Sequence, residues 1–142
     1  SKRQGFEAEL HWSPAQWLNL SAGYAWLDAE QQVEAGQPEQ RELRRPKHSG
    51  FVAADGQHGR LTYGASLAHT GNHLDQHDSF PFELVNLDFY WLATARVGWR
   101  VTERIELFGR IHNAFDADYE DVVGYRTEGR SVFGGLRVAF GR

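Results

Sequence analysis

Gly5-Phe6-Glu7-Ala8-Glu9-Leu10-His11-Trp12, followed across Ser13-Pro14-Ala15-Gln16 by Trp17-Leu18-Asn19-Leu20-Ser21-Ala22-Gly23-Tyr24-Ala25-Trp26, is the stretch that decides the fold. In its first half Phe6, Ala8, Leu10 and Trp12 fall on one side and Glu7, Glu9 and His11 on the other. That period of two is what a β-strand imposes, because successive side chains point to opposite faces. Residues 17 to 28 repeat it, with Leu18, Leu20, Ala22, Tyr24 and Trp26 opposite Asn19, Ser21, Gly23 and Ala25. An apolar face of this length suits a tilted transmembrane strand of roughly 9 to 11 residues.

The same period returns five more times along the chain. Ser49, Phe51 and Ala53 mark a third, less regular strand that stops at the glycine-bearing turn Asp55-Gly56-Gln57-His58-Gly59. Leu61, Tyr63, Ala65 and Leu67 then alternate with Thr62, Gly64, Ser66 and Ala68. Trp91, Ala93, Ala95, Val97, Trp99 and Val101 stand against Leu92, Thr94, Arg96, Gly98 and Arg100. Across the tight turn Thr102-Glu103-Arg104, Ile105, Leu107, Gly109 and Ile111 oppose Glu106, Phe108, Arg110 and His112. A last strand sets Val132, Gly134, Leu136, Val138 and Phe140 against Ser131, Phe133, Gly135, Arg137 and Ala139. Polar stretches at 29 to 44, 71 to 88 and 116 to 129 read as long loops. Connections that alternate short and long are the mark of an up-and-down transmembrane barrel, with brief periplasmic turns and longer extracellular loops.

The two faces differ in kind. Glu7, Glu9, Arg96, Arg100, Glu106, Arg110 and Arg137 all fall opposite the apolar side, and are expected to line a wet lumen. A soluble β-sandwich or lipocalin-like barrel also alternates, but would have to bury these charges or expose Leu, Ile and Trp to water. Aromatics gather at strand ends: Trp12, Trp17, Trp99 and Phe140 toward the short turns, Trp26, Tyr90, Trp91 and Phe115 toward the long loops. They read as two interfacial girdles.

Composition is compatible with this fold and excludes several others. The 142 residues are 41% hydrophobic and 24% charged, with a net charge of −4 and no cysteine. There is thus no disulfide framework or thiol chemistry, and no basic stripe for nucleic acid. No apolar run is long enough for a membrane-spanning helix. Ser1 opens a polar stretch without an apolar signal core, so an export signal is expected upstream of this segment.

Ile105-Glu106-Leu107-Phe108-Gly109-Arg110-Ile111-His112-Asn113-Ala114-Phe115-Asp116-Ala117-Asp118-Tyr119 resembles the penultimate-strand motif of TonB-dependent receptors, which ends in Asn-Leu-Phe-Asp-x-x-Tyr; here Ala114 replaces the leucine. Gly124-Tyr125-Arg126-Thr127-Glu128-Gly129-Arg130 with the strand ending Leu136-Arg137-Val138-Ala139-Phe140 resembles the last loop and closing strand of the cobalamin-receptor branch. Leu43-Arg44-Arg45-Pro46-Lys47-His48 is similar to the Arg-x-Pro-x-His lead-in of these receptors. Together these matches span most of residues 5 to 140, and the set from 105 to 140 is the specific one.

The resemblance implies a barrel of about 22 strands in the bacterial outer membrane. It would be plugged by an N-terminal domain and import a scarce chelate, cobalamin or a ferric siderophore, using TonB. Residues 1 to 142 would be the C-terminal part of that barrel, its last seven strands, with the plug and the TonB-contacting segment outside the chain. Its partners would be outer-membrane lipid, the rest of the barrel, the plug, TonB and the chelated nutrient. The family normally closes on an aromatic, whereas Gly141-Arg142 follow Phe140 here.

Other chemistry is weaker. His69, His73 and His77 recur every four residues, a spacing that would gather zinc, copper or haem ligands on one helix face, but Gly71 and Asn72 argue against a helix and for a solvated loop. Glu7 with Glu9, or Glu103 with Glu106, lacks a pocket to tune an acid/base pair. Asp116-Ala117-Asp118-Tyr119-Glu120-Asp121 lacks the spacing and central glycine of an EF-hand loop and reads as solvated. No phosphate cradle or nucleophile elbow is present, so neither catalysis nor a cofactor is expected. The ligand-binding residues stay undefined. The alternative is a small self-contained β-barrel with a binding or structural role, in which Leu20, Val97, Ile111 and Leu136 would be buried in a closed core instead of facing lipid.

Overall fold

The computed structural model describes residues 2–32, 35, 36 and 38–141. Ser1, Arg142 and, in the first long connection, Val33, Glu34 and Gln37 lie outside the described residues. In chain order the strands are β1 (Lys2–Ala15), β2 (Leu18–Gln31), β3 (Gln40–Arg41), β4 (His48–His58), β5 (Leu61–Thr70), β6 (His73–Gln76), β7 (Leu84–Leu87), β8 (Tyr90–Arg100), β9 (Ile105–His112), β10 (Glu120–Val122), β11 (Tyr125–Arg126) and β12 (Ser131–Val138). No helix occurs among the described residues.

Seven of these form one antiparallel meander in the order β1-β2-β4-β5-β8-β9-β12, with β3 adding two residues beside β2. These are the seven alternating segments of the sequence. Short turns leave β1–β2, β4–β5 and β8–β9 no other partner, and across the three long connections the next of the seven strands still lies adjacent, as sequential strands most often do. The register joins lanes across the sheet: Trp12, Leu20, Ala54, Ala65, Ala95, Ile111 and Val132 share one, and His11, Ser21, Ala53, Ser66 and Thr94 an adjacent one. The first lane lies on the apolar face and the second on the polar face, as the alternation requires.

Four local readings of the sequence are corrected. Strand β1 continues through Ser13 and Pro14 to Ala15, with a register shift between Trp12 and Ala15, and the turn is Gln16-Trp17. Proline lacks an N–H and is tolerated there because β1 is an edge strand and the shift is a bulge. Strand β4 runs through Asp55-Gly56-Gln57 to His58, so its turn is Gly59-Arg60, with Gly59 at φ 60°. Glycine at the first central position is what a tight type II′ hairpin needs.

The third strand is also inverted. Phe51 shares the polar-face lane of Glu9 and Gly23, whereas Val52 pairs with Ala22 on the apolar face. A Cβ on Gly23 would stand 2.4 Å from Phe51 Cε1, so the ring fills the space that glycine leaves. Finally, the long loops are partly ordered into sheet: β2 reaches Gln31, β6 pairs with β7, and β10 with β11.

There is no closed core. Ala29 and Leu87 are the buried apolar side chains among the described residues, while Leu10, Val132 and Leu136 are 66%, 73% and 58% exposed. Of the four residues that separate the two sequence readings, Val97 and Leu136 are exposed and Leu20 and Ile111 half-buried. A self-contained barrel would bury them. The apolar face is uncovered and β1 and β12 are unpaired edges, which fits a piece of a larger wall.

Candidate functional site

The charged face is organised by register. Glu7 and Glu9 sit on β1, where Glu9 Oε1 lies 2.9 Å from His11 Nε2. Asp55 follows on β4, opposite Gly64, which is in turn opposite Arg96. On the far three strands Arg96 faces Arg110, and Arg100, Glu106 and Arg137 form one lane. All seven predicted lumen residues thus share a face, but the structure separates them into an acidic end and a basic end. Arg137 Nη1 donates to Glu106 Oε1 at 2.7 Å, and its guanidinium lies 5.3 Å from the Phe108 ring centroid. Arg110 lies 5.2 Å over Phe133. Both guanidiniums thus lie within cation–π range of an aromatic ring.

Glycines shape this basic end. A Cβ on Gly64 would lie 2.7 Å from Arg96 Nε, and one on Gly135 2.5 Å from Phe108 Cζ. The side chains of β8 and β9 therefore lie across bare backbone of their neighbours. Between them is a cleft of about 450 Å³ lined by Thr62, Arg96, Gly98, Glu106, Arg110 and Arg137.

The opposite end of the sheet carries a second cluster, which the sequence did not reveal. Asp75, on β6, is fully buried. One carboxylate oxygen accepts from Arg44 Nε at 2.9 Å and from Gln76 N at 2.9 Å, the other from Val123 N at 2.7 Å. One carboxylate thus ties all three long connections together. Burial alone would raise its pKa; the hydrogen bonds from Val123, Gln76 and Arg44, with the Arg44 charge, outweigh burial and hold it below the ordinary 3.8. Arg44 itself is at φ 59°, with its N–H on Leu74 O at 2.6 Å. Nearby, Tyr90 OH donates to Asp121 Oδ1 at 2.5 Å, and the Tyr90 and Tyr119 rings stack at 4.1 Å. Tyr90 shares the Thr70 and Ser49 lane of the polar face, so it joins this cluster and not the apolar girdle of Trp91.

The sequence motifs turn out to be loop anchors. Asn113 ends β9 at φ 49° and its carboxamide donates to Ala117 O at 2.9 Å and Glu128 O at 3.3 Å, while accepting from Ala117 N at 2.8 Å. Asp116, at φ 55°, accepts from Arg130 N at 2.8 Å just before β12. The short polar side chains of Asn and Asp tolerate this left-handed conformation and bond the backbone locally. The acidic run is therefore not merely solvated, since Glu120 also accepts from Gly124 N at 3.0 Å and Asp118 lies 3.7 Å from Arg126. At the first loop Arg3 donates to buried Glu42 at 2.8 Å, and His48 Nδ1 lies 2.6 Å from Tyr24 OH.

The three regularly spaced histidines are dispersed. His69 packs against Trp91 and Phe89 at centroid distances of 4.5 and 5.8 Å. His73 is buried, its ring nitrogens 3.4 Å from Gly71 O and 3.2 Å from Asp121 O, and the His77 N–H donates to Glu83 O at 3.1 Å. A strand, a turn and a strand separate them, so helical spacing gathers nothing. Among the described residues no group of three His, Cys, Asp or Glu could hold a metal ion. Asp75 was missed because its partners Arg44 and Val123 lie 31 and 48 residues away, and no local pattern encodes such a contact.

Comparison with known proteins places this geometry. The family model described as TonB dependent receptor-like, beta-barrel matches residues 1–114. Among solved structures, the ferripyoverdine receptor of the outer membrane of Pseudomonas aeruginosa superposes with a TM-score of 0.78 at 17% identity, over 96% of this chain and 19% of that one. The ferric-catecholate import receptor Fiu of E. coli K12, in its open form, gives 0.74 at 20% identity, over 96% and 20%. The siderophore receptor PiuA from Acinetobacter baumannii gives 0.76 at 21%, over 96% and 21%. The chain spans about a fifth of the length of these receptors, and its open sheet matches a stretch of their barrel wall. The chain belongs to the TonB-dependent receptor-like β-barrel family.

Proposed function

We propose that this chain is the C-terminal wall of an outer-membrane receptor that imports a ferric siderophore, drawing on TonB through a part of the receptor outside residues 1 to 142. The observation that carries the reading is the two-faced seven-stranded sheet in a chain of this family: apolar side chains cover one face, and charged ones crowd the other. The apolar face would meet lipid. The face bearing Glu7, Glu9, Arg96, Arg100, Glu106, Arg110 and Arg137 would line the interior around a plug domain. The short turns would face the periplasm and the Asp75 cluster the exterior, where ligand arrives.

Within the family, a siderophore is favoured over the cobalamin suggested by the closing strand, because the superposed receptors are named for pyoverdine, ferric catecholate and siderophore ligands. The family is one of receptors, and no enzymatic step is proposed.

The test is uptake in cells carrying a clean deletion of the whole receptor gene. Loss of radiolabelled ferric siderophore uptake, matched by the same loss when TonB is removed, supports the reading. Loss of labelled cobalamin uptake instead would restore the cobalamin assignment, and unchanged uptake of both would overturn an import role.

A further inference from the structure

Each long connection supplies a donor to the Asp75 carboxylate: Arg44 from the one between β2 and β4, Gln76 from the one between β5 and β8, and Val123 from the one between β9 and β12. A second contact backs each crossing. The Arg44 N–H donates to Leu74 O at 2.6 Å, and His73 Nε2 lies 3.2 Å from Asp121 O. Both crossings end on β6, whose alternate residues His73 and Asp75 are buried. That short strand therefore sits between the other two connections and is bonded to both. A hollow of about 450 Å³ is walled by Arg44, by Asp78, and by Asp121, Tyr125, Arg126 and Thr127, so each connection gives it a side.

We propose that the three connections open and close as one body, with β6 as its hub and the Asp75 carboxylate as its pin, so that a contact made on any one of them is felt by the other two. The physical ground is the cost of moving them apart. Independent motion of either outer connection strips a donor from a carboxylate that is fully buried, and a buried charge left without its partners is among the costliest defects a fold can carry. Concerted motion keeps the pin intact and breaks bonds to the wall, such as that from Tyr90 OH to Asp121 at 2.5 Å. That bond is exposed, so water takes its place at small loss. Local opening follows the less costly route. The device is independent of which chelate is carried and of which face meets lipid.

The experiment is hydrogen exchange on the complete receptor in detergent, read in peptides covering 40–47, 72–78 and 120–127. The perturbation is Tyr90→Phe, which removes a hydrogen bond made to the last of these segments. If the connections are one body, all three segments should exchange faster by a common factor, roughly three- to tenfold, while the strand amides of β5 and β8 keep their protection. In an Asp75→Ala background, where the pin is gone, adding Tyr90→Phe should quicken 120–127 and leave 40–47 unmoved. Should Asp75→Ala fail to assemble, Asp75→Asn keeps the shape, removes the charge and serves as the background, with the response at 40–47 weakened. A Tyr90→Phe receptor in which 40–47 and 72–78 keep wild-type exchange overturns the proposal. So does an equal response at 40–47 with Asp75 and without it, which would route the coupling through the wall instead of through β6.

Discussion

At the scale of single residues, function is prepared by a few side chains that answer backbone groups far away in sequence. Asp75 is the clearest case, because its carboxylate accepts from two other loops as well as its own. Replacing it by Ala leaves the Arg44 guanidinium and the Val123 N–H without that acceptor, and such losses cost about 1 to 3 kcal/mol. The expected outcome for Asp75→Ala is faster amide exchange and proteolysis in 72–78 and 120–127 with the main sheet unaffected. Unaltered protection of those loops would show that the clasp contributes nothing. The sign with pH follows from the lowered pKa of Asp75. A carboxyl whose folded pKa lies below its unfolded value adds stability above the unfolded pKa, and that stability is lost as pH falls through the folded one. Loop protection should thus be level from neutral pH to about 3.8 and decline below it, a decline that Asp75→Asn should abolish.

At the scale of elements, the hairpins hold one another through places where only glycine fits. Gly56, on β4, leaves room for Trp17 of the first short turn: a Cβ there would meet Trp17 O at 1.9 Å. That same carbonyl accepts from Tyr63 OH at 2.5 Å, linking the β1–β2 turn to β5. Gly56→Ala forces backbone apart and should cost about 1 to 3 kcal/mol, read as a lower unfolding midpoint of the refolded barrel. Gly109 is the matched control. Its nearest atoms to an added Cβ are 3.8 Å away, and its φ lies outside the left-handed region. Gly109→Ala should be neutral or stabilising by up to about 1 kcal/mol, since Gly in a strand interior is the costlier residue. Equal effects from both substitutions would contradict the packing argument.

At the scale of the whole molecule, the question is which face meets lipid. Thr94 and Ala95 are neighbours near the middle of β8 on opposite faces, Thr94 beside Ser66 and Ala95 beside Ala65 and Ile111. Arginine on the lipid side at the bilayer midplane costs about 2 to 4 kcal/mol, whereas a wet interior accepts it. In the complete receptor, Ala95→Arg should sharply reduce the heat-modifiable folded band in outer-membrane fractions, and Thr94→Arg should leave it near wild type. The reverse ranking would exchange the faces and with them the interior assignment of the arginines.

How much of this was legible in the sequence follows from the range of each interaction. The period of two in Phe6 to Trp12 and in Trp91 to Trp99 is written residue by residue, because a strand with one apolar face must alternate; it determined the seven strands, their meander order and the common face of the seven charged residues. Alternation carries less where a face is interrupted. The face that Phe51 takes is set by Gly23 on the next strand, whose missing side chain leaves room for the ring on the polar side. Likewise Ser13-Pro14-Ala15-Gln16 and Asp55-Gly56-Gln57-His58-Gly59 have turn composition, yet pairing with β2 and β5 draws most of both segments into strands. The clasp on Asp75, the seating of Tyr90 on Asp121, the dispersal of His69, His73 and His77, and the opposition of Arg96 to Arg110 were decided by tertiary structure alone. Each brings together residues whose separation along the chain is set by loop lengths and register, quantities that no local pattern of residues encodes.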